Sequence, residues 1–210
     1  MFGIVNFEAF LLAGILLNLT PGADTMYILG RSIAQGKKAG ILSALGIASG
    51  ALVHCLFAAL GLSIILAESA LAFEIVKYVG AAYLIFLGIK MILNKDQGKF
   101  ELQNTNDHIN YRKIYISGIF TNIFNPKVAL FFLAFLPQFI NPNYTQNVLP
   151  FVILGLTFVT TGTLWCLALA FFSSKLSNSI RKNYKVKQSL DKITGGVFIA
   201  LGIKLALTKK

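Results

Sequence analysis

The sequence predicts an all-α integral membrane protein whose six transmembrane helices form two inverted repeats of three helices each. Three observations lead to this prediction. Hydrophobic residues make up 56% of the chain and charged residues only 13%, and the mean hydropathy of +0.70 lies outside the range of soluble domains. Long apolar segments occur six times along the chain. The two halves of the chain also resemble each other.

The six apolar segments carry few interior charges and cover residues 4–29, 39–66, 72–93, 114–140, 148–172 and 193–208. A helix needs about 20 apolar residues to cross the hydrocarbon core, so most of the segments are long enough, although the last is short. The first segment lacks the basic region of a signal peptide, since its first charge is Glu8, and no small-residue cleavage site follows it. We therefore expect it to remain as the first span.

The positive charges lie between the apolar segments. Most of the 19 Lys and Arg residues fall in alternate connections, which follow segment one, flank the central loop and follow segment five. A nucleic-acid-binding protein gathers its basic residues on one folded surface, so the net charge of +11 does not indicate nucleic acid as a partner. The positive-inside rule places these connections in the cytoplasm and both termini outside. If the sixth segment is too short to cross the membrane, the C-terminus lies on the opposite side.

The repeat is indicated by two pairs of similar stretches. TPGADTMYIL near the start of the first half matches NPKVALFFL in the second, with Pro21 and Pro126 separated by 105 residues, and YLIFLGIK matches VFIALGIK. The alternative is a coincidence between apolar segments of low complexity. If the duplication is real, the single transmembrane domain consists of repeat one (1–93), a cytoplasmic linker (94–113) and repeat two (114–210). Three spans per repeat invert the second copy, which is typical of secondary transporters.

Both prolines are predicted to break their helices near the middle of the bilayer. Each lies 10 to 13 residues from a cytoplasmic charge, Arg31 or Lys113, or roughly 15 to 20 Å at 1.5 Å per residue. Proline removes a helical hydrogen bond, and irregular backbone at that depth must be buried in protein or line a cavity. We expect Thr20 and Asn125 to cap the helices that begin at Pro21 and Pro126. The free N–H groups there would suit a carboxylate.

Asp24 and Lys127 are the two charges placed deepest within the spans. Ionisable residues in a membrane are expensive and usually mark substrate pathways or proton relays. Three alternatives remain open. Asp24 could serve only the dipole of its helix, the two residues could form a structural ion pair, or they could bind a zwitterion, with Asp24 receiving an ammonium group and Lys127 helping to hold a carboxylate. Asp24 could also carry a coupling proton.

Neutral polar residues beside the breaks add candidates for ligand contact. Asn18, Asn122 and Asn125 could each hydrogen-bond a substrate or simply join neighbouring helices. His54 could relay protons, although a histidine bonded to a neighbouring helix is the more ordinary interpretation. Gly36, Gly40, Gly46 and Gly50 recur on segment two and indicate close helix packing.

The sequence indicates neither an enzyme nor a metal protein. We find no HExxH or GxSxG motif and no convincing pair of nucleophile and base, so no catalytic residue and no cofactor is expected. Cys55 and Cys166 lie within apolar segments without the spacing of a metal site, and we interpret them as buried thiols. The sequence leaves open whether the chain forms a homo-oligomer.

Two long motifs resemble those of the LysE/RhtB family of bacterial amino-acid exporters. They are PGADTMYILGRSIAQGKKAG, followed by ALGIASGALVH, and NPKVALFFLAFLPQFI. The resemblance covers nearly the whole chain. It implies a multi-pass protein of the bacterial inner membrane that exports amino acids, with protons as the coupling ion. The residues that carry over are Pro21, Gly22 and Asp24 with Asn125, Pro126 and Lys127.

The resemblance leaves the substrate open. Family members export basic amino acids, homoserine, threonine or other neutral amino acids, and this chain is more similar to the homoserine and threonine branch. Some members are argued to have five spans, which bears on the side of each terminus. The alternative function is efflux of a divalent cation or another small solute. The spans offer no cluster of Asp, Glu, His or Cys that would hold such an ion.

Overall fold

The computed structural model describes residues 2–62, 70–93 and 109–173, together with single positions between 192 and 207. The helices in these ranges are α1 (Phe7–Leu19), α2 (Ala23–Gln35), α3 (Lys37–Phe57), α4 (Ala70–Leu93), α5 (Tyr111–Ile123), α6 (Pro126–Leu130) and α7 (Val148–Phe171). Helix α3 continues as a π-helical turn, Ala58–Leu62. Helix α6 continues as the π-helical turn Phe131–Phe135 and a 3₁₀ turn, Leu136–Phe139.

The lengths and composition of these helices are those of an all-α membrane protein, as predicted. Two segments, Lys37–Gly61 and Val148–Phe171, are each long and apolar enough to cross a membrane. Two bent pairs, α1 with α2 and α5 with the segment Pro126–Phe139, meet the same test when each pair is taken together. The described residues therefore contain between two and four candidate spans.

The remaining predicted spans are described only in part. Helix α4 covers the predicted span 72–93. The prediction for 193–208 falls mostly outside the described residues, although the described positions there are helical. Most of the predicted linker 94–113 also lies outside them, and its last three residues already belong to α5. The six-span arrangement and the inverted repeat stay predictions.

Helix α3 is central to the packing and contacts α2, α5 and α7. Glycines on both helices explain how closely α3 approaches α5. A Cβ atom on Gly50 would lie 2.7 Å from the carbonyl oxygen of Ile119, and one on Gly118 would lie 2.9 Å from that of Ser43. The predicted close packing is confirmed for Gly46 and Gly50, which face α5, and for Gly40, which faces Ser32 and Ala170.

Gly36 does not belong to this packing surface. It lies in the turn between α2 and α3 with φ of 86°, and no atom lies within 4 Å of the position of a Cβ. The prediction of a packing role is therefore wrong for Gly36. Glycine is needed there for the backbone conformation of the turn, because other residues rarely adopt positive φ.

A cluster of phenylalanine rings packs between α1, α7 and the segment that follows the second break. Phe131 stacks on Phe158 with 4.0 Å between ring centroids, and Phe10 contacts Phe131, Phe135 and Phe139. All of these rings are buried. This dense apolar packing fixes the position of the residues at the breaks, because a close-packed core tolerates little displacement.

Candidate functional site

The first break lies between α1 and α2, whose axes differ in direction by 46°. The Thr20 hydroxyl donates to the carbonyl of Leu16 at 2.8 Å, so Thr20 belongs to the end of α1. Helix α2 begins at Ala23 after Gly22, and no side chain caps it. The predicted cap by Thr20, with Pro21 as the first helical residue, is therefore wrong. The break itself is confirmed, and its location follows from Pro21.

The second break lies between α5 and α6, where the chain bends by 48°. The side-chain oxygen of Asn125 accepts the N–H of Lys127 at 3.1 Å, and Pro126 is the first helical residue. The predicted cap by Asn125 is confirmed. The two breaks therefore differ, because the N–H groups of α6 have a side-chain cap and those of α2 do not.

Lys127 reaches from the second break to the first. Its ammonium group donates to the carbonyls of Leu17 at 3.1 Å and Thr20 at 3.0 Å. A Cβ atom on Gly22 would lie 3.3 Å from the Lys127 nitrogen, so the absence of a side chain at Gly22 makes room for it. The last carbonyls of a helix lack partners and carry the negative end of its dipole. Lys127 thus stabilises the end of α1.

Asp24 lies in the first turn of α2, where its side chain contacts α5. Its Oδ2 accepts a hydrogen bond from the side-chain amide of Asn122 at 3.0 Å. The charge of Lys127 acts on this carboxylate, while the Lys127 ammonium group itself donates to carbonyls at the end of α1.

Three polar atoms around the breaks are buried and lack a hydrogen-bond partner in the described structure. They are Oδ1 of Asp24, Oδ1 of Asn122 and the amide nitrogen of Asn125. Asn122 is 2% exposed and Asn125 4%. Buried polar atoms are almost always hydrogen-bonded, and leaving one unpaired costs about 1–3 kcal/mol. Unpaired atoms concentrated at one location indicate a site for a ligand or for water.

A cavity of about 40 Å³ lies beside these atoms. Asn18, Asp24 and Asn122 form its polar wall, and the other lining residues come from α3, α6 and α7: Ile47, Ala48, Ala51, Val128, Phe158, Val159, Gly162, Thr163 and Cys166. Such a volume holds on the order of three water molecules. The helices must separate before a larger solute can enter.

The structure thus brings together only some of the predicted site residues. Asn18, Asp24 and Asn122 line the cavity, whereas Pro21, Gly22, Asn125, Pro126 and Lys127 shape the breaks next to it. Asn18 donates to the hydroxyl of Thr161 on α7 at 3.3 Å. Thr163 and Cys166 were not predicted as site residues. The polar run TTGT (160–163), inside an otherwise apolar segment, was the signal in the sequence for the α7 side of the cavity.

His54 contacts both sides of the second break. Its Nε2 lies 3.2 Å from the carbonyl oxygen of Asn122, and its ring stacks on Phe132 with centroids 5.9 Å apart. The predicted bond to a neighbouring helix is confirmed. Cys55 and Cys166 are buried free thiols, as predicted. Among the described residues, no three side chains of His, Cys, Asp or Glu come together as a metal site.

The profile of the LysE type translocators matches residues 15–209, which include both helix breaks and every residue of the polar wall. The chain belongs to the LysE translocator family. The resemblance seen in the sequence motifs is confirmed, and the family is one of transporters. Its members move a solute across a membrane, which agrees with a cavity that has polar side chains on one wall of an otherwise apolar lining.

Three relatives of this LysE family member are similar over almost their whole length. The chain is 34% identical over 197 residues to "Uncharacterized membrane protein YrhP" of Bacillus subtilis, which covers 90% of this chain and 93% of the relative. It is 29% identical over 202 residues to "Uncharacterized membrane protein" of Vibrio cholerae, covering 96% of each. It is 32% identical over 198 residues to "Homoserine/homoserine lactone efflux protein" of Salmonella typhimurium, covering 94% of each. No solved structure matches this LysE translocator.

Proposed function

We propose that this LysE translocator is a secondary active exporter of amino acids and their close derivatives, and that Asp24 binds the ammonium group of the substrate. The observation that carries the proposal is the pair of unpaired acceptors, Oδ1 of Asp24 and Oδ1 of Asn122, both buried next to the cavity. The proposal includes no catalytic step and no cofactor.

An ammonium group suits these two oxygen atoms chemically. Each can only accept a hydrogen bond, and an ammonium group is a pure donor. Burial makes a carboxylate expensive, and a substrate cation adds favourable charge directly beside it. The contact from Asn122 to Oδ2 holds the carboxylate while leaving Oδ1 for the ligand.

The carboxylate of a zwitterionic substrate has a suitable location at the start of α2. The first bond within this helix runs from the N–H of Met26 to the carbonyl of Gly22, so the N–H groups of Ala23, Asp24 and Thr25 lack helical acceptors. The Lys127 ammonium group lies beside Gly22, and both features favour an anion. Asn125 contributes an unpaired amide donor at the second break.

Asp24 also provides a route for coupling to protons. Protonation removes the negative charge that binds an ammonium group, so a proton and the substrate compete for the same carboxylate. If the outward-facing state binds a proton and the inward-facing state exchanges it for substrate, each substrate exported accompanies a proton that enters. Such competition at one intramembrane acid is sufficient for antiport.

The substrate and membrane belong to the same proposal. The Salmonella relative's name supports homoserine and its lactone as first candidates. Threonine and other neutral amino acids, which the motif resemblance implies, come next. Relatives named as membrane proteins in two bacteria support a multi-pass protein of the bacterial inner membrane. The bends at Pro21 and Pro126, of 46° and 48°, support two inverted repeats around a shared site.

Transport by inverted membrane vesicles tests the proposal. Such vesicles expose the cytoplasmic side, so they take up what the cell exports. We expect saturable uptake of labelled homoserine or threonine that requires an acidic lumen. Asp24→Asn should reduce the rate by about tenfold or more, because it removes both the charge and the proton site. Glu8→Gln, which alters an exposed carboxylate on α1, is the matched control and should transport normally.

Two results would each contradict a different part of the proposal, the role of Asp24 or the export of amino acids. Normal uptake by the Asp24→Asn protein would remove Asp24 from the site while leaving the exporter intact. Wild-type vesicles that take up none of homoserine, threonine, leucine and lysine would contradict amino-acid export. That second result would favour the divalent-cation or small-solute carrier.

A further inference from the structure

Asn122 contributes to the proposed substrate site through its side-chain amide and through its main-chain carbonyl. Its side-chain amide donates to Oδ2 of Asp24, and its main-chain carbonyl lies at the end of α5, next to the second break. The same carbonyl accepts the N–H of Asn125 at 2.9 Å. The direction of the Asn122 side chain therefore depends on how its backbone is fixed at that point.

His54 is a side chain that fixes this backbone. Its Nε2 lies 3.2 Å from the Asn122 carbonyl oxygen, and because a carbonyl oxygen only accepts, Nε2 carries the proton. The imidazole ring also stacks on Phe132, in the π-helical turn after the break. One ring thus contacts the chain on both sides of the break.

The contact between His54 and Asn122 is short because α3 packs closely against α5. Gly50 lies one helical turn before His54, and a Cβ atom there would lie 2.8 Å from Cβ of Asn122 and 3.1 Å from its Oδ1. Asn122 is consequently enclosed by α3 on one side and held by His54 on its carbonyl. Among the described residues, its side-chain amide donates to Asp24.

We propose that His54 is a positioning residue of the transporter, which orients the Asn122 amide toward Asp24 and so sets the affinity of the substrate site. This inference rests on the proposed role of Asp24. His54 itself does not line the cavity. Its effect on transport passes through Asn122.

The test compares His54→Phe with His54→Gln in the inverted-vesicle assay with labelled homoserine and threonine. Phenylalanine keeps a ring against Phe132 but cannot donate, so the substrate concentration for half-maximal uptake should rise about five- to tenfold, as for one lost hydrogen bond. Glutamine retains an N–H donor of similar reach and should restore most of the affinity. Protein abundance in the membrane is measured for each variant.

Two controls separate positioning from a general structural effect. Ser49→Ala removes another contact between α3 and α5, the 2.7 Å hydrogen bond of Ser49 to the Tyr115 hydroxyl, and should leave the half-maximal concentration unchanged. In an Asn122→Ala background the main-chain carbonyl remains but the amide is gone. If His54 acts through that amide, His54→Phe then adds no further change.

The outcomes distinguish this inference from the proposed function. Wild-type affinity in His54→Phe, or the same loss in the Asn122→Ala background, overturns the positioning role while export stands. If His54→Phe is not found in the membrane, the His54→Gln protein decides, since a raised half-maximal concentration despite its donor overturns the role. Absence of wild-type uptake overturns both proposals.

Discussion

Lys127 shows how a single intramembrane charge is accommodated by main-chain atoms. Its ammonium group hydrogen-bonds the carbonyls of Leu17 and Thr20, where the negative end of the α1 dipole lies. The sequence identified Lys127 as one of the two charges placed deepest within the spans but could not identify these acceptors. Every residue has a carbonyl, so a backbone acceptor leaves no trace in the sequence. Asp24 and Asn122 were easier to identify, because polar side chains are rare in spans.

Replacing Lys127 by methionine should therefore destabilise the protein through the loss of its contacts at the end of α1. Losing hydrogen bonds from a charged donor costs about 1.5–3 kcal/mol each, and the carbonyls would lose this partner. We expect a lower unfolding temperature in detergent and reduced transport. Combining Lys127→Met with Asp24→Asn should not recover transport. Recovery in the double variant would show instead that the two side chains act as a direct pair.

The two broken helices show what proline predicts and what it does not. Both breaks occur next to Pro21 and Pro126, because proline cannot continue the hydrogen-bonding of the preceding turn. The caps are less predictable. Asn125 caps α6, whereas the Thr20 hydroxyl bonds backward to Leu16 and leaves α2 without a side-chain cap. Threonine can do either, so its local sequence does not decide between them.

Helix α3 packs so closely on α5 that a side chain added in their contact should lower the stability of the protein. Gly50→Ala would place a Cβ atom 2.7 Å from the carbonyl of Ile119, so the helices must move apart and Asn122 must shift. We expect a loss of about 1–3 kcal/mol in the free energy of unfolding, together with weaker transport.

The matched control for this change is Gly30→Ala on α2, where no atom lies within 4 Å of the new Cβ. This variant should be as stable as the wild type or more so, because alanine favours helix over glycine. Unfolding in detergent measures both proteins. Equal stability of the two variants would contradict the close packing of α3 on α5.

At the scale of the whole molecule, the two breaks meet at one place. Gly22 and Lys127 occupy matching positions of the two halves, since each directly follows the proline of its break, and the Lys127 ammonium group lies beside Gly22. This meeting of equivalent positions supports the repeat that the similar stretches predict. The sequence could suggest the duplication from matching motifs. It could not show the cavity wall from α7, because that wall depends on how the helices pack.

The central claim is that one carboxylate, Asp24, holds either a proton or the ammonium group of the exported solute. The most direct measurement is proton release when homoserine is added to the purified protein in weakly buffered detergent solution containing a pH-sensitive dye. We expect release of up to about one proton per homoserine bound, because binding displaces the proton of Asp24, and no release from the Asp24→Asn protein. Homoserine binding without proton release, or equal release from both proteins, would contradict the claim.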